Sequence, residues 1–140
     1  MNLLIANQSI KEQMENWITA VIKEYELNGE VRKHDRCNMI SNGISLLMRC
    51  QTNDIDELCL VIATVRLDKS LQSQGWFKSF LSYCIDINPW DIVAIEDVDN
   101  PRLREFCKKN GFAPISKFFA TSFIVNQQFM KTLAVKEFNS

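Results

Sequence analysis

A polar turn between an apolar strand and a helix carries the clearest chemistry in this sequence. Residues 65–78 read VRLDKSLQSQGWFK, and Gly75 stands where the helix begins. Such a junction aims several backbone N–H groups at one point, and the helix start adds partial positive charge. Gly75 would let the backbone approach a phosphate closely, with Lys69 and Lys78 able to assist. The alternative, which this segment alone leaves open, is that Gly75 only relieves a tight turn.

A second segment, 98–112, joins the end of a strand to a short amphipathic helix. It reads VDNPRLREFCKKNGF. Asn100 is a natural N-cap, the proline after it suits the first helical position, and Gly111 suits the helix end. The segment therefore predicts a helix that follows directly on a strand.

Together these two segments resemble the GNAT superfamily of acyl-CoA N-acyltransferases. That family's pyrophosphate loop reads Arg/Gln-x-x-Gly-x-Gly/Ala, and residues 72–77 of this chain, QSQGWF, stand at the matching place. The family's later motif is an Asn, an apolar helix face and a Gly-Phe pair. The matching residues here are Asn100, Leu103, Phe106, Gly111 and Phe112. The resemblance covers 58–112 well, whereas the N-terminal third matches only in having a helix followed by strands.

The resemblance implies a protein that binds acetyl-CoA and passes its acetyl group directly to an amine, without a metal. The implied coenzyme-binding residues are Val65, Leu67, Gln72, Ser73, Gln74, Gly75, Trp76, Phe77, Lys78 and Asn100. The pantetheine arm would lie between diverging strands 57–67 and 91–98. A backbone N–H of Leu67 or a neighbour would polarise the thioester oxygen. Asn100 would bind the arm of the coenzyme, or would only cap its helix.

Two departures from the family pattern bear on the chemistry. Phe77 stands where the family loop ends in a small residue, and we expect the backbone N–H groups to stay available to the coenzyme. Cys107 stands where many members carry the Tyr that protonates the leaving thiolate. An unperturbed cysteine has a pKa of about 8.5, so it could serve as a weaker acid. The alternatives are that the thiolate leaves unaided, or that Cys107 is simply packed.

The family usually takes the amine proton with a carboxylate, or with water held by one. Glu96, Asp97 and Asp99 stand together at the end of the third strand. Side chains alternate along a strand, so Glu96 and Asp97 point to opposite faces. Glu96 is the first candidate for the catalytic base, and the alternative is a solvated acidic loop.

The acceptor amine could be a protein lysine, an N-terminus or a small molecule. A second function stays open because the Tyr is missing and no base is obvious. In that alternative, a catalytically weak or inactive GNAT-fold chain acts by binding coenzyme A or another protein. A homodimer is also left open.

The composition of the chain limits which partners and which cellular location are expected. A chain of 140 residues with 46% hydrophobic residues and no linker predicts a single domain, 1–140. The net charge of −1 gives no reason to expect nucleic acid or a membrane as a partner. Five cysteines without zinc-site spacing and a single histidine, His34, predict reduced thiols and no metal site. With no signal peptide expected, the predicted location is the cytoplasm.

The elements that must hold these segments follow from periodicity. Ser9 and Glu12 form a capping box, and apolar residues at helical spacing predict a helix over 10–27. Residues 31–42 are polar and are expected to form a loop. The expected strands are 43–50, 57–67 (buried on both faces), 91–98, 118–125 and 129–135, with helices opening at Gly75 and Pro101. The fold class is α/β (α+β), with a mixed, partly parallel sheet flanked by helices.

Overall fold

The computed structural model describes residues 9–52, 58–72, 75–96, 101–114 and 123–126. Within these ranges the chain forms three α-helices, six β-strands and one short 3-10 helix. In chain order they are α1 (Ile10–Asn28), β1 (Arg36–Ser41), β2 (Ile44–Thr52), β3 (Leu58–Leu67), the 3-10 helix Lys69–Leu71, α2 (Trp76–Ile87), β4 (Ile92–Ile95), α3 (Pro101–Lys109), β5 (Ala113–Pro114) and β6 (Phe123–Ile124).

Helix α1 has the two caps that its sequence predicts. The Ser9 hydroxyl accepts a hydrogen bond from the N–H of Glu12 at 3.1 Å, which satisfies one of the free donors of the first turn. Gly29 adopts a left-handed conformation with φ of 71° and donates its N–H to the carbonyl of Tyr25. One stripe of the helix is buried: Ile10, Met14, Trp17, Ile18 and Val21. The helix ends one residue later than predicted.

The six strands form one mixed sheet in the order β1-β2-β3-β4-β6-β5. Strands β3 and β4 are parallel and every other neighbouring pair is antiparallel. This confirms the predicted mixed, partly parallel sheet. Strand β6 lies within the predicted strand 118–125. Strand β5 directly follows Gly111 and Phe112, the pair that opens a strand in the family motif, although periodicity did not predict it. The predicted strand 129–135 lies outside the described residues.

The prediction of a loop over 31–42 is wrong, because β1 occupies Arg36–Ser41. This strand is at the edge of the sheet and pairs only with β2 among the described residues. An edge strand needs few apolar side chains, and β1 buries only Met39 and Ser41 while Ile40 is exposed. Its polar composition therefore gave no sequence signal for a strand.

The two faces of the sheet are covered differently. On the first face, a large apolar core joins the sheet to α1, α2 and α3 through residues such as Met14, Leu60 and Phe80. On the second face, Cys59, Val61 and Ala94 form a small separate cluster. The first six residues of β3 are buried, which confirms burial on both faces for that part of the strand. None of the described helices is long and apolar enough to cross a membrane.

A partly buried carboxylate, that of Glu24, connects the segment before β1 to α1. The Glu24 carboxylate accepts hydrogen bonds from the N–H groups of Arg32, Lys33 and His34 at 2.8–2.9 Å. The backbone donors of Lys33 and Arg32 hold the pKa of Glu24 at about 2, below its ordinary value of 4.5, against the opposing effect of burial. Trp17 Nε1 also donates to the carbonyl of His34 at 2.9 Å.

Candidate functional site

Strands β3 and β4 separate partway along their length. They pair from Cys59 with Ile92 to Ile62 with Ile95, and the N–H of Glu96 then donates to the carbonyl of Ile62 at 2.9 Å. Beyond that bond β3 continues to Leu67 without a partner from β4 among the described residues. The predicted divergence of the two strands therefore begins at Ile62, and we call the opening beyond it the fork.

A β-bulge accompanies the fork. Leu47 pairs with Thr64 whereas Met48 pairs with Ile62, so Ala63 is an extra residue in β3. A bulge bends its strand and strengthens the local twist. The bulge therefore helps to turn the second half of β3 away from β4.

Backbone groups at the end of β3 point into the fork. The N–H of Asp68 donates to the carbonyl of Gly43 at 2.9 Å, on the side of β2. Because successive residues of a strand point their backbone groups to opposite edges, those of Leu67 and Val65 point away from β2, toward the fork. Gln72 reaches the same edge, since its Nε2 donates to the carbonyl of Leu67 at 3.0 Å.

A cleft with a volume of about 380 Å³ lies on the first face of the sheet beside the fork. This volume is within the range of small-molecule sites. The lining residues are Val65, Leu67, Leu71, Gln72, Gly75, Trp76, Phe77, Lys78, Arg102, Leu103 and Phe106. The structure thus brings together around one cleft seven residues that the sequence assigns to coenzyme binding, 65, 67, 72 and 75–78. Ser73, Gln74 and Asn100 lie outside the described residues.

The start of α2 closes one end of the cleft. Gly75 is the N-cap in a left-handed conformation, with φ of 76°, which L side chains rarely adopt. Among the described residues no side chain caps this helix, and the first-turn N–H groups of an α-helix have no partner within the helix itself. A Cβ added to Gly75 would meet no atom within 4 Å, so the protein itself leaves open space beside this turn. The N–H groups of this helix start and the Lys78 side chain make this end of the cleft suitable for an anion.

Aromatic side chains build the opposite wall. Phe77 packs edge-on against Phe106 of α3 with ring centroids 5.8 Å apart, and Trp76 stacks on Phe80 at 5.0 Å. Phe77 is thus part of the wall of the cleft. The sequence placed Leu103 and Phe106 on the inner face of their helix but did not assign them, Leu71 or Arg102 to the site. The sequence did contain a signal for these residues of α3, since their helix follows directly on the strand that borders the fork.

Cys107 lies in the core and does not line the cleft. Its side chain is fully buried, and burial raises the pKa of the thiol from 9.0 to about 12. All five cysteines are unpaired thiols, and four of them are buried. The role of Cys107 as a general acid stays a prediction, and its burial favours the alternative of packing.

Glu96 lies at the mouth of the fork on the second face. It follows Ala94, which belongs to the second-face cluster, by two residues. Its carboxylate pairs with Arg49 of β2, with Arg49 Nη1 3.5 Å from both oxygens. The side chain of Glu96 is 24% exposed, and its role as the catalytic base stays a prediction. Asp97 and Asp99 lie outside the described residues.

A sheet that opens between two parallel strands, with a glycine-started helix at the opening, is the arrangement of the GNAT fold. Solved acetyltransferase toxins of that fold match this chain, and they confirm both the predicted resemblance and the α/β fold class.

Structures of the toxin AtaT are among those that match. AtaTR bound with acetyl-CoA matches with a TM-score of 0.54 and 12% identity, over 79% of this chain and 81% of that chain. The AtaT–AtaR complex bound to DNA matches with a TM-score of 0.52 and 12% identity, over 81% and 78%. A mutant AtaT toxin bound to the C-terminus of the antitoxin AtaR matches with 0.47 and 16%, over 63% of this chain. The chain spans only 60% of the length of that last relative. No protein-family model and no curated protein match the sequence.

Proposed function

We propose that this protein is a cytoplasmic N-acetyltransferase that moves an acetyl group from acetyl-CoA directly to a primary amine. The observation that carries the proposal is the cleft at the fork, because its lining includes a helix start, which suits a diphosphate, and the end of β3, which suits an amide-containing arm. The apolar side chains of the cleft suit the alkyl parts of a pantetheine arm. The acetyl-CoA in a solved neighbour of the same fold supports the same ligand.

In this proposal the reaction is divided between the two faces of the sheet. The coenzyme enters the cleft on the first face, and its thioester reaches the fork, where the backbone groups of Val65 and Leu67 point. An N–H donor there would stabilise the negative charge that develops on the thioester oxygen. The acceptor amine approaches from the second face, past Glu96, which takes its proton. The new C–N bond forms as the C–S bond breaks, and coenzyme A leaves as a thiolate.

A second function deserves a test because of Cys107. If transfer needs a side-chain acid, the buried thiol makes a poor one. The chain would then be a catalytically weak GNAT-fold module that binds coenzyme A or another protein. The partners proposed for the enzyme are acetyl-CoA and an amine, on a protein or a small molecule. Nucleic acid stays outside the proposal on the net charge of −1, although a solved neighbour is a complex with DNA.

The first experiment separates binding from transfer. Calorimetry with acetyl-CoA should show one site per chain, and release of free coenzyme A should accelerate when a panel of peptides and small amines is added. Binding without amine-dependent release would favour the module over the enzyme. No binding of acetyl-CoA by the folded chain would contradict the enzyme and would leave only a module that binds another protein.

A further inference from the structure

Arg49 lies on β2, one strand removed from the fork, and its side chain crosses the second face of the sheet. Its neighbours Met48 and Cys50 belong to the core of the first face, so Arg49 points to the second. The register places Arg49 beside Val61. Val61 in turn pairs with Ala94 of β4, two residues before Glu96. The guanidinium therefore passes over β3 to reach the carboxylate at the mouth of the fork.

The two side chains depend on each other. Their exposed fractions are 34% for Arg49 and 24% for Glu96, so water screens the pair only in part. No other described hydrogen bond is made by the Glu96 carboxylate. Within the described part of the chain, Arg49 Nε is buried and has no hydrogen-bond partner. Folded proteins rarely leave a buried donor in that state, so the arrangement calls for a reason other than stability.

The contact also leaves the carboxylate available. Arg49 Nη1 is 3.5 Å from each oxygen, longer than the distance of about 2.7–2.9 Å that a tight charged pair adopts. One nitrogen shared between two oxygens fixes the position of the carboxylate, yet most of its acceptor capacity stays unused. Such a carboxylate is held in place and can still accept a proton from a third group.

We propose that Arg49 is a positioning residue that fixes the Glu96 carboxylate at the mouth of the fork. This inference rests on the proposed function. As the amine nitrogen bonds to the acetyl carbon and the C–S bond breaks, one amine proton moves to Glu96, which later returns it to water. Arg49 keeps its own protons throughout, since a guanidinium is not deprotonated in proteins. Its part is to set where the carboxylate lies.

The experiment compares steady-state kinetics of Arg49→Gln, Arg49→Lys, Glu96→Gln and the double variant of Arg49→Gln with Glu96→Gln. We expect Arg49→Gln to lower kcat by up to about 100-fold, with the KM for acetyl-CoA unchanged, because a misplaced catalytic group slows chemistry without weakening binding of the coenzyme. Arg49→Lys, which keeps the charge, should recover part of the loss. In the Glu96→Gln background, Arg49→Gln should cause little further loss, because both changes remove the same function.

Arg36→Gln is the matched control. Arg36 pairs with Arg49 in register on β1, is exposed, and lies on the far side of Arg49 from Glu96, so its loss removes one positive charge without touching the carboxylate. Its kcat should equal that of the parent. The inference is overturned if Arg49→Gln lowers the melting temperature but not kcat, or if its effect multiplies fully with that of Glu96→Gln. A parent chain that binds acetyl-CoA but transfers to no amine would instead overturn the proposed function, and the inference with it.

Discussion

Replacing Cys107 by Ala tests whether the acid of the transfer reaction is a side chain at all. The thiol is fully buried, and its pKa of about 12 exceeds its ordinary value of 9.0. At about 1.4 kcal/mol for each tenfold change in acidity, donating this proton costs about 4 kcal/mol more than donating one from an ordinary thiol. That cost would cancel the roughly 100-fold or greater benefit that a positioned acid gives. We therefore expect Cys107→Ala to leave kcat within a factor of two or so of the parent.

The substitution should instead show itself in stability. Removing a buried sulfur from the core leaves a small cavity, and we expect a loss of about 1 kcal/mol in the free energy of unfolding. For a chain of this size that corresponds to a fall of about 3–4 °C in melting temperature. Cys84→Ala is the matched control, because Cys84 is equally buried in the same core and lies on α2. The two variants should lose similar stability.

The assay measures release of free coenzyme A at saturating amine, together with the affinity for acetyl-CoA. A fall of about 100-fold in kcat for Cys107→Ala, with coenzyme affinity retained and Cys84→Ala unaffected, would refute the reasoning. That result would assign the acid to Cys107 and would require the thiol to reach the fork during turnover.

Two further predictions concern the coenzyme turn and the segment before β1. Gly75→Val and Gly29→Val place a side chain at similar left-handed positions with no atom within 4 Å, so both should lose roughly 1–2 kcal/mol of stability. Only Gly75→Val should weaken acetyl-CoA binding in calorimetry, and equal affinities would contradict the assignment of the turn. The pKa of Glu24 is lowered to about 2 from 4.5, so its contribution to stability is present above pH 4.5 and is lost as the pH falls toward 2. Denaturation of Glu24→Gln at a series of pH values should show a shallower acid loss than the parent, and parallel curves would disprove this.

Local signals explain why much of the fold could be predicted. Ser9 and Glu12 sit three residues apart before an apolar stripe, and both the cap and the stripe appear in α1. Gly75 likewise marks the start of α2, because its left-handed conformation is a property of the residue itself. Strand β1 was not predicted, because only two of its residues are buried and its pairing with β2 leaves no pattern in its own sequence.

The candidate site was predictable only where it follows from single segments. The turn that the sequence assigns to coenzyme binding and the carboxylate of Glu96 were both predicted from their positions at the ends of strands. The partner of Glu96 was not, since Arg49 is 47 residues away in sequence and meets Glu96 only through the register of three strands. The bulge at Ala63 also has no local signature, because one extra residue in a strand is defined by the partner strand.

The fork also leaves the two halves of the sheet with few strand contacts between them. Among the described residues, strand pairing between the half formed by β1, β2 and β3 and the half formed by β4, β6 and β5 involves four pairs of residues, Cys59–Ile62 with Ile92–Ile95. A molecule bound in the opening would contact β3 on one side and α3 on the other, and it would therefore link the two halves. Its binding energy adds to the resistance against separation of the halves by RT ln(1 + [L]/Kd). The protein saturated with ligand should therefore need more force to separate the two halves than the ligand-free protein.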